Sequence, residues 1–353
     1  MCCDGTWNTP DKMSGADHAA TNVTKIALGL GPTNGIGKPQ ELYYQRGVGT
    51  RRFERFRGGI FGYGLSRNIR DCYRFIVDHY EVGDRLYFFG FSRGAYTARS
   101  SVGFIRNCGI LRPEHSDRVD EAYALYRSGK KEHEPSAIES QIFRRMYSHP
   151  EEPKIHFVGV WDTVGSVGIP IGPMPLVSSL WGFHNTELSS HVTSAFQALA
   201  IDERRGPFKP TLWHQQNDVD GQTLEQVWFA GVHCDVGGGY ATPALSEIPL
   251  LWMVDRAIKQ GMVFKPNHFV VTSSASKGEP RWLGQQVAPD ALGKIHNSMK
   301  PPYTFLWRHR RKLTDRDHQS AASTAVRRLD GLEVYRPRSL ARWVKDGRSQ
   351  TEV

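Results

Sequence analysis

The sequence predicts an α/β fold with a mostly parallel central sheet flanked by helices. Two observations carry this. Short apolar runs of strand length each end in polar or glycine residues, as parallel strands do when both faces are buried and their C-terminal ends open into loops. Helix-compatible stretches lie between and after these runs, which is the alternation of α/β architecture. The 353 residues, 39% hydrophobic and 23% charged, suit one large domain.

The clearest strand candidates are Arg85-Leu86-Tyr87-Phe88-Phe89-Gly90, Lys154-Ile155-His156-Phe157-Val158-Gly159-Val160-Trp161 and Gln226-Val227-Trp228-Phe229-Ala230-Gly231-Val232. Each delivers a polar, chemically useful residue directly afterwards. Between the first two, residues 112–150 are polar and helix-compatible at 120–128 and 137–147, and they read as an inserted helical cap. Residues 167–186 contain Ile169-Pro170-Ile171-Gly172-Pro173-Met174-Pro175-Leu176. The prolines forbid a regular helix there, leaving an apolar loop that suits a lid, an acyl-chain wall or an ordinary packed loop.

The first strand candidate leads into Gly90-Phe91-Ser92-Arg93-Gly94, a GxSxG motif, and residues 95–102 after it can form a helix. A serine on a tight strand-to-helix turn needs small flanking residues so that its hydroxyl can project clear of the backbone. This context makes Ser92 the candidate nucleophile and the architecture α/β-hydrolase-type, with inserted cap and lid segments. A serine hydroxyl is a weak nucleophile at neutral pH, so a histidine base and an orienting acid are required. Asp162 and His233 follow the second and third strand candidates, in the order Ser, Asp, His that this architecture uses.

Competing residues exist. Asp162 also suits a turn, in Asp162-Thr163-Val164-Gly165. Asp235 is a second acid near His233 and reads as a residue that stabilises the Gly237-Gly238-Gly239 loop. His296 is the rival base, while His184, His191 and His214 lack a place at a strand end. The oxyanion hole is expected from the backbone N–H of Arg93 and a second N–H from Asp4-Gly5-Thr6-Trp7-Asn8, with Gly5 and Thr6 as its residues. The glycines of Arg57-Gly58-Gly59-Ile60-Phe61-Gly62-Tyr63-Gly64 lack a GxxxxGK pattern and read as a flexible loop beside the site.

The net charge is +9, and residues 291–353 hold 14 Lys and Arg against 6 Asp and Glu, or +8, so the basic character reads as a property of the C-terminal region. Such a surface suits peripheral contact with anionic lipid, or is simply solvated. No nucleic-acid-binding motif accompanies it, and no nucleic-acid partner is expected. The five cysteines form no zinc pattern and read as reduced thiols; neither a metal nor a cofactor is called for. The opening residues lack a secretory signal, which predicts cytoplasmic synthesis and a signal-independent route for any export.

Several segments together resemble the α/β-hydrolase domain family that includes phospholipase effectors of bacterial type VI secretion. They are Asp4-Gly5-Thr6-Trp7-Asn8, Gly47-Val48-Gly49-Thr50, Gly90 to Arg99, Gly159-Val160-Trp161-Asp162-Thr163-Val164-Gly165, Ala198-Leu199-Ala200-Ile201-Asp202-Glu203 and Trp228 to Tyr240. The resemblance implies a Ser-Asp-His esterase acting on phospholipids, with roles falling on Ser92, Asp162 and His233. It also implies a secretion-apparatus or immunity-protein partner. Two departures stand out: only Met1-Cys2-Cys3 precedes the Asp-Gly-Thr-Trp-Asn segment, and Gln197 replaces a histidine expected before Ala-Leu-Ala. The alternatives are an esterase or thioesterase for a soluble substrate and a non-catalytic interaction module.

Overall fold

The computed structural model describes residues 1–5, 18–47, 60–165, 186–216, 219–272 and 286–353, apart from 302, 306, 315 and 317. An eight-stranded sheet runs through the molecule. Its strands are β1 (Cys2–Cys3), β2 (Tyr44–Gln45), β3 (Leu86–Phe91), β4 (Ile155–Trp161), β5 (Val192–Ala200), β6 (Thr223–Phe229), β7 (Gln319–Ala322) and β8 (Gln350–Thr351). Their spatial order is β2-β1-β3-β4-β5-β6-β7-β8, and every neighbouring pair is parallel.

Helices cover both faces, as an all-parallel sheet requires. One layer holds α1 (Asn22–Gly29), α7 (Glu247–Lys259), α8 (Ser323–Gly331) and α9 (Arg338–Lys345). The other holds α2 (Ile60–His79), α3 (Arg93–Cys108), α4 (Val119–Arg127) and α5 (Ile138–Tyr147). The one-turn helix α6 (His233–Gly237) sits at the end of β6. Strand side chains divide between the two cores: Phe89, Phe157 and Trp161 join α1 and α7, whereas Phe88, Val158 and Val160 join α2 and α3. The ring centroids of Phe89, Phe157 and Phe196 form a ladder at 5.2 and 5.1 Å across β3, β4 and β5.

Sequence order explains where a site can form. Strand β2 lies on one side of β1, while β3 and all later strands lie on the other, so the order reverses between β1 and β3. In parallel α/β sheets such a switch point, at the C-terminal strand ends, is where loops diverge and sites form. Asp4 follows β1 and Ser92 follows β3, one on each side of that switch point.

Three stretches singled out in the sequence take their places in this fold. The basic 291–353 region supplies β7, β8, α8 and α9 and forms one edge of the sheet. Residues 60–64, read as part of a flexible loop, open α2, and 57–59 lie outside the described residues. The helices of 112–150 pack on α2 and α3 beside the C-terminal end of α3, where Cys108 Sγ donates to Ala122 O at 3.2 Å and Arg144 Nη1 to Asn107 O at 2.8 Å. The apolar loop of 167–186 falls, except for Thr186, outside the described residues.

Candidate active site

Ser92 stands between β3 and α3 with φ 58° and ψ −120°, a backbone conformation that costs a non-glycine residue about 1–3 kcal/mol. The flanking glycines make this turn possible. A Cβ on Gly90 would lie 2.6 Å from Ala95 Cα, and one on Gly94 would collide with the carbonyl oxygens of Cys3 and Asp4. The second collision shows that the end of β1 passes directly over the first turn of α3. Arg93 opens that helix, so its N–H belongs to the orphan donors of a helix N-terminus, as an oxyanion donor should.

The same close approach brings Gly5 beside the turn. Its N–H donates to Asp4 Oδ1 at 2.6 Å, while Asp4 Oδ2 accepts from Thr21 Oγ1 at 2.8 Å, Thr24 Oγ1 at 2.9 Å and Tyr44 OH at 2.5 Å. Burial pushes the Asp4 carboxyl up from its ordinary value against these hydrogen bonds. In this arrangement the Gly5 N–H is committed to Asp4. Thr6 lies outside the described residues.

Asp162 follows β4 next to Ser92: Phe91 and Trp161 are register partners, and the Ser92 N–H donates to Trp161 O at 3.1 Å. Its φ of 41° is left-handed. The peptide is pinned by its own N–H donating to Ala198 O at 2.7 Å, and Oδ1 accepts the Ala200 N–H at 3.0 Å. Oδ2 lies 2.5 Å from His233 Nδ1. On the other side, the Arg311 guanidinium makes hydrogen bonds to both carboxylate oxygens, with Nη2 to Oδ2 at 2.9 Å. Arg311 also donates to Ala200 O at 2.8 Å and Phe208 O at 2.7 Å. Burial works to raise the Asp162 carboxyl, but Arg311 and then His233 override it and hold it well below the usual carboxylate range.

His233 begins α6 and is 3% exposed, its ring between Phe91 at 4.6 Å and Phe208 at 4.9 Å. Burial pushes its pKa below the ordinary 6.5, with the Asp162 hydrogen bond opposing. With Nδ1 on Asp162, Nε2 is buried and has no hydrogen-bond partner among the described residues. The loop before it is fixed by two carboxylates from the end of β5. Asp202 Oδ2 accepts the Gly231 N–H at 2.7 Å, where φ is 114°, and Glu203 Oε2 accepts the His233 N–H at 3.2 Å. Burial would raise Glu203, yet its pair with Arg205 overrides this and holds it down to about 2.

Asp235, in α6, accepts the Val232 N–H at 3.0 Å, ahead of the Gly237-Gly238-Gly239 stretch. Its other oxygen lies 2.5 Å from His296 Nδ1, forming a second Asp–His pair. This one has no idle nitrogen: His296 Nε2 is 2.7 Å from Thr242 Oγ1, and its ring stacks on Tyr240 at 4.0 Å. His191 faces Glu152 at 3.5 Å, His214 is exposed, and His184 lies outside the described residues. Gln197 is buried in β5, with Nε2 on Thr211 O at 3.1 Å. No cluster of three or more His, Cys, Asp or Glu side chains gathers for a metal among the described residues.

Arg311 and Glu203 are the buried side chains bonded to Asp162 and His233 that the sequence did not single out. Glu203 ended one of the segments carrying the family resemblance but had no assigned role. Arg311 sits inside Arg308-His309-Arg310-Arg311-Lys312, where nothing local marks one buried cation among exposed ones.

Comparison with known proteins gives the family of this chain. Residues 1–256 match the family described as T6SS, phospholipase effector Tle1-like, catalytic domain. A Saccharomyces cerevisiae protein described as uncharacterized protein YEL023C is 31% identical over 229 residues, covering 59% of this chain and 31% of the yeast protein. This chain therefore spans about a third of that relative's length. No solved structure matches it. With its matched residues running from β1 into α7, the chain belongs to the Tle1-like phospholipase effector catalytic-domain family.

Proposed function

We propose that the chain is a serine ester hydrolase that cleaves phospholipids through Ser92, His233 and Asp162. The observation that carries this reading is the buried His233 imidazole, with Nδ1 held by Asp162 and Nε2 unpartnered among the described residues, at the strand ends that also bear Ser92. A buried ring nitrogen without a partner is costly, which is expected where that atom has work to do. Catalytic hydrogen bonds also commonly tighten only when substrate arrives.

In this mechanism Nε2 accepts the Ser92 proton as Oγ attacks the ester carbonyl. The tetrahedral oxyanion is met by the Arg93 N–H at the α3 N-terminus. Nε2 then gives the proton to the leaving alcohol, which departs and leaves an acyl group on Ser92. Water, deprotonated by the same nitrogen, adds to the acyl carbonyl; the bond to Ser92 Oγ then breaks as Nε2 returns the proton to that oxygen, releasing the fatty acid. Asp162 holds the imidazole in the required tautomer and stabilises its transient positive charge.

Phospholipid is favoured as substrate by the family. A secretion apparatus and an immunity-protein partner rest on the family name alone, and the yeast relative places related sequence outside bacteria. No helix among the described residues is long and apolar enough to cross a membrane. The test is mass spectrometry of products from mixed phospholipid vesicles. Free fatty acid and lysophospholipid should form with the wild-type chain and be absent with Ser92→Ala; equal product from both would remove Ser92 from the mechanism.

A further inference from the structure

We propose that Phe305 and Trp307, with Arg308 and Arg310 beside them, form the edge by which the protein docks on an anionic phospholipid bilayer. The inference deepens the phospholipase reading and rests on it for the choice of partner.

Exposure singles out the two aromatics. Phe305 is 87% and Trp307 58% exposed. A single exposed apolar residue is ordinary, and Ile36 at 80% and Val334 at 95% are of that kind. Phe305 and Trp307 differ because they are two large rings within three residues, in a stretch of strongly one-sided charge. Residues 296–314 contain Lys300, Arg308, Arg310, Arg311 and Lys312 and no Asp or Glu. All of these cations are exposed except Arg311, which is buried on Asp162.

Position ties this edge to the catalytic residues. Residues 307–309 run beside 204–206: Gly206 N–H donates to Trp307 O at 2.9 Å, His309 N–H donates to Arg204 O at 2.9 Å, and the Arg205 and Arg308 backbones form an antiparallel β-bridge. The Tyr303 ring packs 5.5 Å from Phe208, which packs 4.9 Å from His233. The exposed rings thus belong to a segment that starts two ring contacts from His233 and ends, at Arg311, on Asp162.

A bilayer satisfies both parts of this surface. Tryptophan and phenylalanine settle at the boundary between headgroups and acyl chains, while arginines meet lipid phosphates. Docking by this edge would present the mouth of the site to the lipid it consumes.

The experiment uses the full chain carrying Ser92→Ala, so that vesicles are not digested, and measures cosedimentation with phosphatidylcholine vesicles with and without phosphatidylglycerol. The protein should favour vesicles containing phosphatidylglycerol, less so as salt rises. Phe305→Ser with Trp307→Ser should weaken binding by about 10-fold or more, and Arg308→Gln with Arg310→Gln should abolish the preference for phosphatidylglycerol. Phe305→Ser alone, at a position this exposed, tests the idea without threatening the fold and should weaken binding in the same direction. Failure of the unsubstituted edge to bind anionic vesicles, or binding unchanged by the serine substitutions, overturns the proposal. If binding requires these residues but the Ser92-containing chain yields no lipid product, docking stands and the phospholipase reading falls.

Discussion

Nδ1 of His233 stands 2.5 Å from Oδ2 of Asp162, across 71 residues of chain, and both side chains are buried. The pair unites the ends of β4 and β6, which are separated in the sheet by β5. The β5 end mediates the meeting: Ala198 O holds the Asp162 peptide, and Asp202 and Glu203 hold the His233 loop. Three adjacent strand ends therefore set one imidazole.

The pH profile follows from this burial. A general base must be neutral, and burial holds the His233 pKa below 6.5, so the imidazole stays neutral to lower pH than a solvent-exposed one. Activity is lost as pH falls through that depressed value. On a soluble neutral ester, kcat/KM should rise to its plateau with a midpoint below 6.5. A midpoint above 6.5 in the free enzyme would contradict the environment described for His233.

The two Asp–His pairs give opposite expectations. His233→Ala should lower kcat by about 10^5-fold or more and Asp162→Asn by about 10^4-fold, because the base transfers the proton while the acid orients it. His296→Ala should cost about 10-fold or less, since both of its ring nitrogens are engaged by Asp235 and Thr242. Steady-state kinetics on one ester substrate ranks all three. A dead His296→Ala beside an active His233→Ala would transfer the base to the other pair.

Gly94→Ala tests the approach of β1 to the nucleophile turn. Its methyl group would meet two backbone carbonyl oxygens, at Cys3 and Asp4, and backbone yields less readily than a flexible side chain. Overpacking of this kind costs roughly 1–3 kcal/mol, and here the strain falls on the Ser92 turn itself. Urea denaturation should show that loss, and a fluorophosphonate probe should label Ser92 more slowly than in wild type. Wild-type stability together with wild-type labelling would mean that β1 does not lie over α3 as described.

The parts of the fold legible in the sequence were those whose burial is written as an apolar run. Strands β3, β4 and β6 each carry four or more large apolar residues, and the residues predicted to carry the chemistry follow them. Strand β5 was not recognised because Thr193, Ser194 and Gln197 interrupt it, although all but Thr193 are buried. Strand β7 reads Gln-Ser-Ala-Ala, with Gln319 bonded to the Trp228 indole N–H at 2.9 Å, a pairing that only the fold can produce. The C-terminal basic residues looked uniform because charge is visible in sequence and burial is not. Arg328 and Arg311 are buried, while Arg327 and Arg310 beside them are exposed.

Arg311 lies beyond residues 1–256, the part that matches the catalytic-domain family, yet it makes hydrogen bonds to both oxygens of Asp162. The planar guanidinium supplies charge and a two-pronged grip, and the variants separate these. Arg311→Lys keeps the charge and loses the fork, whereas Arg311→Gln keeps a donor and loses the charge. Without the cation, the full charge of Asp162 acts on His233 and favours the imidazolium, so the acid limb of kcat/KM should move to higher pH by about one unit in Arg311→Gln. The other groups facing His233 are Glu203, which raises its pKa, and Arg205, which lowers it; both residues are kept in these variants, and the Arg205 pair, the larger influence on Glu203, still holds that carboxylate down. The limb should therefore stay near its wild-type position in Arg311→Lys. Plateau activity should fall about 10- to 100-fold in the glutamine variant and less in the lysine variant. Breaking a buried ion pair from one side also costs about 3–5 kcal/mol of stability, so both profiles are recorded at a temperature where circular dichroism shows the variants folded. If both variants lose stability while their acid limbs coincide with wild type, Arg311 is a brace between β4, β5 and the C-terminal segment and has no part in setting the charge state of the base.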